Sequence, residues 1–230
     1  FGQIAPADNI PARVRVTEPP TEGARRITLT DDQVRQPNWT RMWKAPSYNA
    51  GEKQYANALE VLENILADGA TSRLYKSLVV DQKIAAGVNL SYNPGALDLG
   101  TLSISATPAP GQDVAAVEAA IDAELAKLLA KGVTDAEVAS AKVRLRRDAV
   151  FARDSLQGPA YAFGAALTTG QTVADVEAWP DRIAAVTREQ VEAAARHVLS
   201  QDNHVTGILM PAAQAEAAAP SAPASTGGTK

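Results

Sequence analysis

Imidazole is the side chain most often used for metal binding or for proton transfer near neutral pH. This chain has two, His197 and His204, seven residues apart. Zinc ligands carried by one helix stand about one turn apart. The segment between these two crosses from the end of a helical pattern to the start of a strand. His197 therefore reads as a late-helix residue facing its own C-terminus and His204 as the opening of a strand, and together they are a poor metal set. No cysteine is present, so there is no thiolate nucleophile, disulfide framework or sulfur-based metal site. No Gly-x-Ser-x-Gly elbow supports a Ser-His-Asp hydrolase, and no glycine-rich loop or Walker lysine is present to cradle a phosphate. Arg144, Arg146, Arg147 and Arg153 cluster on one predicted helix, and with Asp148 and Asp154 beside them they read as a solvated face rather than an anion site. Trp39 and Trp43 fall on one side of a predicted strand, as anchors of the core or of an inter-domain contact. The sequons at Asn38 and Asn89 match a permissive pattern and are assigned no function.

The elements that must position such residues follow from hydrophobic period. Residues 25–30 alternate as a strand, and a second strand runs to Ala45, starting after Pro37 or lying at an edge. Tyr55, Leu59, Leu62 and Leu66 repeat at helical spacing over residues 52–67, with Asp68-Gly69 as the stop. In residues 71–92 a helix capped by Thr71 or Ser72, with Leu74/Leu78 and Tyr75/Val79 four apart, feeds directly into a strand in which Val88, Leu90 and Tyr92 alternate with Asn89 and Ser91. Asn93-Pro-Gly95 turns the chain into a returning strand at 101–107. From Asp113 onward helices dominate. Val117, Ile121, Leu125 and Leu128 share one face, and Gly132 ends that helix. Thr134 and Glu137 form a capping box that opens a long helix to about Arg153. Shorter helices are expected at 159–167, at 173–185 with Pro180 dividing it, and at 188–199 after Thr187. A final strand covers 204–210. This order predicts an α+β fold, an antiparallel sheet with helices packed on one face. Residues 1–24, with four prolines, read as an extended linker, 25–212 as the folded domain, and the Ala/Pro/Ser-rich stretch 213–230 as a disordered tail.

The 230 residues are 46% apolar, enough for a substantial core. A net charge of −4 and a pI near 5.3 disfavour nucleic acid and anionic lipid as partners. No stretch approaches the roughly 18 consecutive apolar residues a membrane span needs, and charged residues regularly interrupt the Ala-rich regions.

Four stretches carry a resemblance: Ala45-Pro-Ser-Tyr-Asn49, Thr71-Ser-Arg-Leu-Tyr75, Leu97-Asp-Leu-Gly-Thr101 and Ala149-Val-Phe-Ala-Arg-Asp-Ser155. With the opening Phe-Gly-Gln-Ile as an inter-half linker, the chain from residue 1 to about 210 resembles the C-terminal, non-zinc half of an insulinase/pitrilysin-type zinc metallopeptidase, the inverzincin class. The resemblance implies one half of a clamshell that encloses an extended peptide substrate. Zinc in the full enzyme would be held by the N-terminal half through its inverted motif, and none by this chain. It implies that the piece is inactive alone, with that N-terminal half and the peptide as partners and a periplasmic or secreted setting rather than a cytoplasmic one. Many members contribute from this half an Arg and, seven residues on, a Tyr that stabilise the tetrahedral intermediate. Those positions correspond here to Val79 and Ala86, which donate no side-chain hydrogen bond. Arg73, Tyr75 and Tyr92 are the nearby candidates for substrate contact, and a second subunit is a possible source of the missing donors. The alternative implied is a non-catalytic binding or structural subunit like the inactive core-type relatives.

Overall fold

The computed structural model describes residues 22–212, with residues 14, 16 and 19. Most of the expected linker and the whole expected tail lie outside the described residues. Five strands, β1 (Arg25–Asp31), β2 (Asn38–Ala45), β3 (Ala85–Tyr92), β4 (Gly100–Pro108) and β5 (Val205–Pro211), form one sheet in the order β1-β5-β2-β4-β3. The β2–β4, β2–β5 and β3–β4 pairs are antiparallel, as expected. The β1–β5 pair is parallel, Arg25 opposite Val205 through Asp31 opposite Pro211. The sheet is therefore mixed and not wholly antiparallel. The last strand inserts between the first two, so it must run against β2 and with β1.

The helices are α1 (Ala56–Ala67), α2 (Arg73–Tyr75, continuing into a π-helical Lys76–Asp81), α3 (Val114–Lys131), α4 (Asp135–Arg153), α5 (Gly158–Thr168), α6 (Val173–Glu177), α7 (Trp179–Ala185) and α8 (Arg188–Leu199). Pro180 divides the predicted 173–185 helix by sitting in the first turn of α7, where its missing N–H costs nothing. The expected capping box at Thr134/Glu137 is present on α4, and Thr187 caps α8 through Gln190. Ser72 occupies the cap position of α2, but its hydroxyl donates back to the Gly69 carbonyl and does not cap.

Period-2 alternation places Trp39, Trp43, Leu102, Ile104, Leu90 and Ile208 on the helix side of the sheet, where they are buried. They meet Leu59, Leu62 and Leu66 of α1, Val117 and Ile121 of α3 and Val191 of α8 in one continuous core. Arg41 points into the same face. Its guanidinium lies 5.0 Å from the Trp39 ring and 5.9 Å from Trp43, and it donates to Glu118 (2.7 Å), Asp122 (2.5 Å) and the Thr206 hydroxyl (3.1 Å). A charge can be buried there because every exposed side of the guanidinium has a carboxylate, a hydroxyl or a ring face against it. The two histidines are packing residues: His197 stacks on Tyr55 at 4.7 Å and His204 on Trp43 at 5.7 Å.

Candidate functional site at the helix-to-strand junction and the open sheet face

The junction from α2 to β3 turns on one widened helical turn. Gln82 N–H donates to the Ser77 carbonyl and Ile84 N–H to Leu78, and Lys83 takes a left-handed φ of 54° before the chain extends. The π turn keeps Leu74 and Leu78 in the core. Val79 packs partly buried against that core, and Ala86 stands exposed at the irregularity in the β3–β4 register between Ala85 and Gly87. Neither has a side-chain donor.

Of the three candidate substrate contacts, Arg73 forks onto Glu137 of α4, Nε to Oε1 at 2.5 Å and Nη2 to Oε2 at 2.6 Å. That hydrogen-bonded guanidinium, assisted by Thr134, holds the Glu137 carboxyl down at about 2. Tyr92 is buried, and its hydroxyl donates to the Pro46 carbonyl; burial, with Glu60 and Glu63 nearby, pushes that hydroxyl above its ordinary range. Tyr75 is half-buried. Among the described residues no hydrogen bond, ion pair or ring contact joins the three. Arg73 and Tyr92 tie α2 to α4 and β3 to the loop after β2.

A polar cluster that went unremarked in the sequence lies beneath them. Glu60, Glu63 and Asn64 stand on one face of α1 at helical spacing, the signal that could have revealed it. Glu60 accepts from the Tyr48 hydroxyl and from Trp179 Nε1 (3.0 Å). Glu63 accepts from the Tyr92 N–H at 3.1 Å. Burial pushes both carboxyls up to about 7. Arg144 does not share the solvated face of its neighbours: it turns inward, Nε donating to Asn64 Oδ1 at 2.8 Å. A cavity of about 320 Å³ opens beside Glu60, Glu63, Asp68, Asn89 and Asp148. Carboxyls near neutrality suit proton transfer, but Glu60 is occupied by two donors that lock α7 and the loop after β2 onto α1. Among the described residues no group of three His, Cys, Asp or Glu is placed to hold a metal ion.

The other face of the sheet is turned away from the helices. On it β4 presents Thr101, Ser103, Ser105 and Thr107, β2 presents Asn38, Thr40, Met42 and Lys44, and β3 adds Asn89 and Ser91, as the registers require. These groups bond laterally: Ser91 to Ser103 at 2.9 Å, Thr40 to Asn38 at 3.0 Å and Asn38 to Thr107 at 3.4 Å. Beyond them the face becomes apolar, with Val205 and Leu209 on β5 and Ile27 and Leu29 on β1, the last two 61% and 60% exposed. Between the strand ends it is a nearly charge-free surface, hydroxyl-rich on one side and aliphatic on the other. No described helix is long and apolar enough to cross a membrane.

The profile of the family described as peptidase M16 inactive domain matches residues 1–145. Comparison with curated proteins returns no match. Among solved structures, a protease from Helicobacter pylori is similar at a TM-score of 0.80 and 20% identity over 89% of this chain and 48% of that one. An inactive peptidase domain from Bordetella parapertussis gives 0.68 and 22% over 78% of this chain and 96% of that one. The periplasmic protease PqqL from Escherichia coli gives 0.60 and 21% over 83% and 21%. The chain thus spans about half the length of the H. pylori protease, while the B. parapertussis domain is matched almost end to end. With a family match over more than half its length and a five-stranded sheet layered as in these structures, the chain belongs to the M16 zinc-peptidase family as its inactive C-terminal domain.

Proposed function

We propose that this chain is the substrate-enclosing, non-zinc half of a zinc-dependent endopeptidase that cleaves extended peptides. The observation that carries the reading is the sheet face that none of the described helices covers, broad and nearly uncharged between its strand ends. Such a face can lie along a peptide of any sequence, offering hydroxyls to its backbone and aliphatic side chains to its apolar residues. Zinc would be bound by the N-terminal half and would supply the activated water. This chain's own part would be to confine and orient the peptide, Tyr75 being the candidate with least internal commitment. The E. coli relative supports a periplasmic or secreted setting.

Val79 and Ala86 favour a second reading, a non-catalytic binding subunit, because the donors expected from this half are absent; a second subunit supplying them would reconcile the two. Peptide cleavage by the two-half protein, measured with and without a chelator, decides between them. Chelator-sensitive cleavage of unfolded peptides by the two-half protein, with none by this chain alone, is the expected result. Stoichiometric zinc retention or zinc-dependent cleavage by the isolated chain would overturn the proposal, and peptide binding without cleavage by the two-half protein would select the second reading.

A further inference from the structure

The two edges of the sheet are built differently. At β3 the edge is guarded: Glu63 of α1 takes the Tyr92 N–H at 3.1 Å, and the register breaks between Ala85 and Gly87. At β1 it is bare. All seven residues are exposed and the pairing with β5 runs unbroken, so β1 lacks the bulge, proline and lysine by which native edges avoid pairing. The helix layer reaches β1 through Arg26, which forks onto Glu118 of α3 at 2.9 and 2.8 Å, and leaves Thr28 and Thr30 exposed. Arg25 N–H donates to the His204 carbonyl on the β5 side. Alternate residues of a strand bond to the same side. Arg25, Ile27 and Leu29 therefore turn their backbone groups to β5, while Arg26, Thr28 and Thr30 turn theirs to the free edge.

We propose that β1 pairs edge to edge with β1 of a second copy of this chain, antiparallel about a two-fold axis at Thr28, joining two sheets into one. The strand Arg25-Arg-Ile-Thr-Leu-Thr-Asp31 is complementary to itself in that register. Arg26 meets the partner's Thr30, and Thr28 meets the partner's Thr28. These residues carry the outward backbone groups, so their pairs exchange about six hydrogen bonds. On the open sheet face Arg25 lies opposite the partner's Asp31 and Ile27 opposite the partner's Leu29, each pair occurring twice by symmetry. Two ion pairs thus flank two aliphatic pairs, at the closer, non-hydrogen-bonded positions where side chains interact most. The pairing covers Ile27 and Leu29, 61% and 60% exposed in the single chain. It also gives Arg25 a carboxylate opposite its guanidinium. An axis one residue earlier sets Arg25 against the partner's Leu29, and one residue later leaves Arg25 beyond the paired strand, so charge fixes the register.

Sedimentation equilibrium of the 230-residue chain and of the two-half protein tests the pairing; a domain of this fold stands alone in the B. parapertussis structure, 96% of which is matched. A reversible dimer is expected in both. Thr28→Pro removes an N–H that faces the free edge and none that bonds β5. It should weaken the dimer at least about 100-fold and leave the circular dichroism of the dilute chain unchanged. Arg25→Asp and Asp31→Arg each set like charges opposite one another, twice by symmetry, and each should weaken the dimer about tenfold. The double variant Arg25→Asp/Asp31→Arg restores the opposite charges and should restore the dimer. Rescue by the double reversal marks a contact between two copies, since against any other partner the two changes would not compensate. A chain that stays monomeric at the highest attainable concentration, or a dimer indifferent to these variants, would overturn the proposal. So would a monomer whose Thr28 amide is already protected from hydrogen exchange, the edge then belonging to the chain's own leading residues. A two-half protein that stays monomeric would overturn it too, the edge then belonging to the other half. None of these readouts depends on peptide cleavage.

Discussion

Replacing Glu60 with Gln should stabilise this protein at alkaline pH, the reverse of what removing a buried charge partner usually does. Glu60 is 9% exposed, and its carboxyl titrates at about 7 in the fold against an ordinary value of 4.5, chiefly because burial disfavours the carboxylate; Glu63 adds repulsion, and Tyr48, Trp179 and Arg182 oppose the shift. Between those two values the folded chain holds a proton that the unfolded chain has released. Glu60's contribution to stability is therefore greatest below 4.5, falls as the pH rises to about 7, and is flat above that. A displacement of this size corresponds to about 3 kcal/mol. Gln reproduces the protonated form: its carbonyl can accept from Trp179 Nε1 while its amide donates to the Tyr48 oxygen. Urea unfolding followed by tryptophan fluorescence at several pH values between 4.5 and 8 is the assay. The wild type should lose about 3 kcal/mol through Glu60 across this range, and more through Glu63. Glu60→Gln should lose only the Glu63 share, matching the wild type near pH 4.5 within about 1 kcal/mol and exceeding it by about 2–3 kcal/mol at pH 8. Parallel profiles for the two proteins, or a variant less stable at pH 8, would refute the account.

Glu137 titrates in the opposite sense. Its carboxyl is held at about 2 by Arg73, so its contribution is present above 4.5 and is lost as the pH falls from there towards 2. Both partners are partly exposed, and Arg73→Ala should cost only about 1 kcal/mol at pH 7 and nothing at pH 2, read from urea midpoints. Gly100 is constrained by space rather than by dihedral: a Cβ there would lie 2.2 Å from the Asn93 carbonyl oxygen. Gly100→Ala should destabilise the β3–β4 hairpin by about 2 kcal/mol or more in the same unfolding assay, and a change under about 0.5 kcal/mol would show that the hairpin yields.

Local signals in the chain determine most of the elements. The α3 stripe of Val117, Ile121, Leu125 and Leu128, the Thr134/Glu137 box, the Pro180 division and the change of period between α2 and β3 are each written within a few residues, because caps, proline and side-chain period act over one or two turns. The family, too, was legible in short stretches such as 71–75 and 97–101. Pairing was not. Alternation shows which residues of β1 and β5 share a face but not which strand lies beside them, and the parallel β1–β5 register joins residues nearly the whole chain apart. The roles of single polar residues were equally out of reach. Arg73 and Tyr92 resemble surface contacts until Glu137 and the Pro46 carbonyl are brought against them, and Arg144 turns inward only because Asn64 faces it from α1. Glu60, Glu63 and Asn64 show helical spacing in the chain, but the near-neutral titration of the two glutamates comes from burial beside Tyr48, Trp179 and Tyr92. Only the fold removes the water that would otherwise keep those carboxyls acidic.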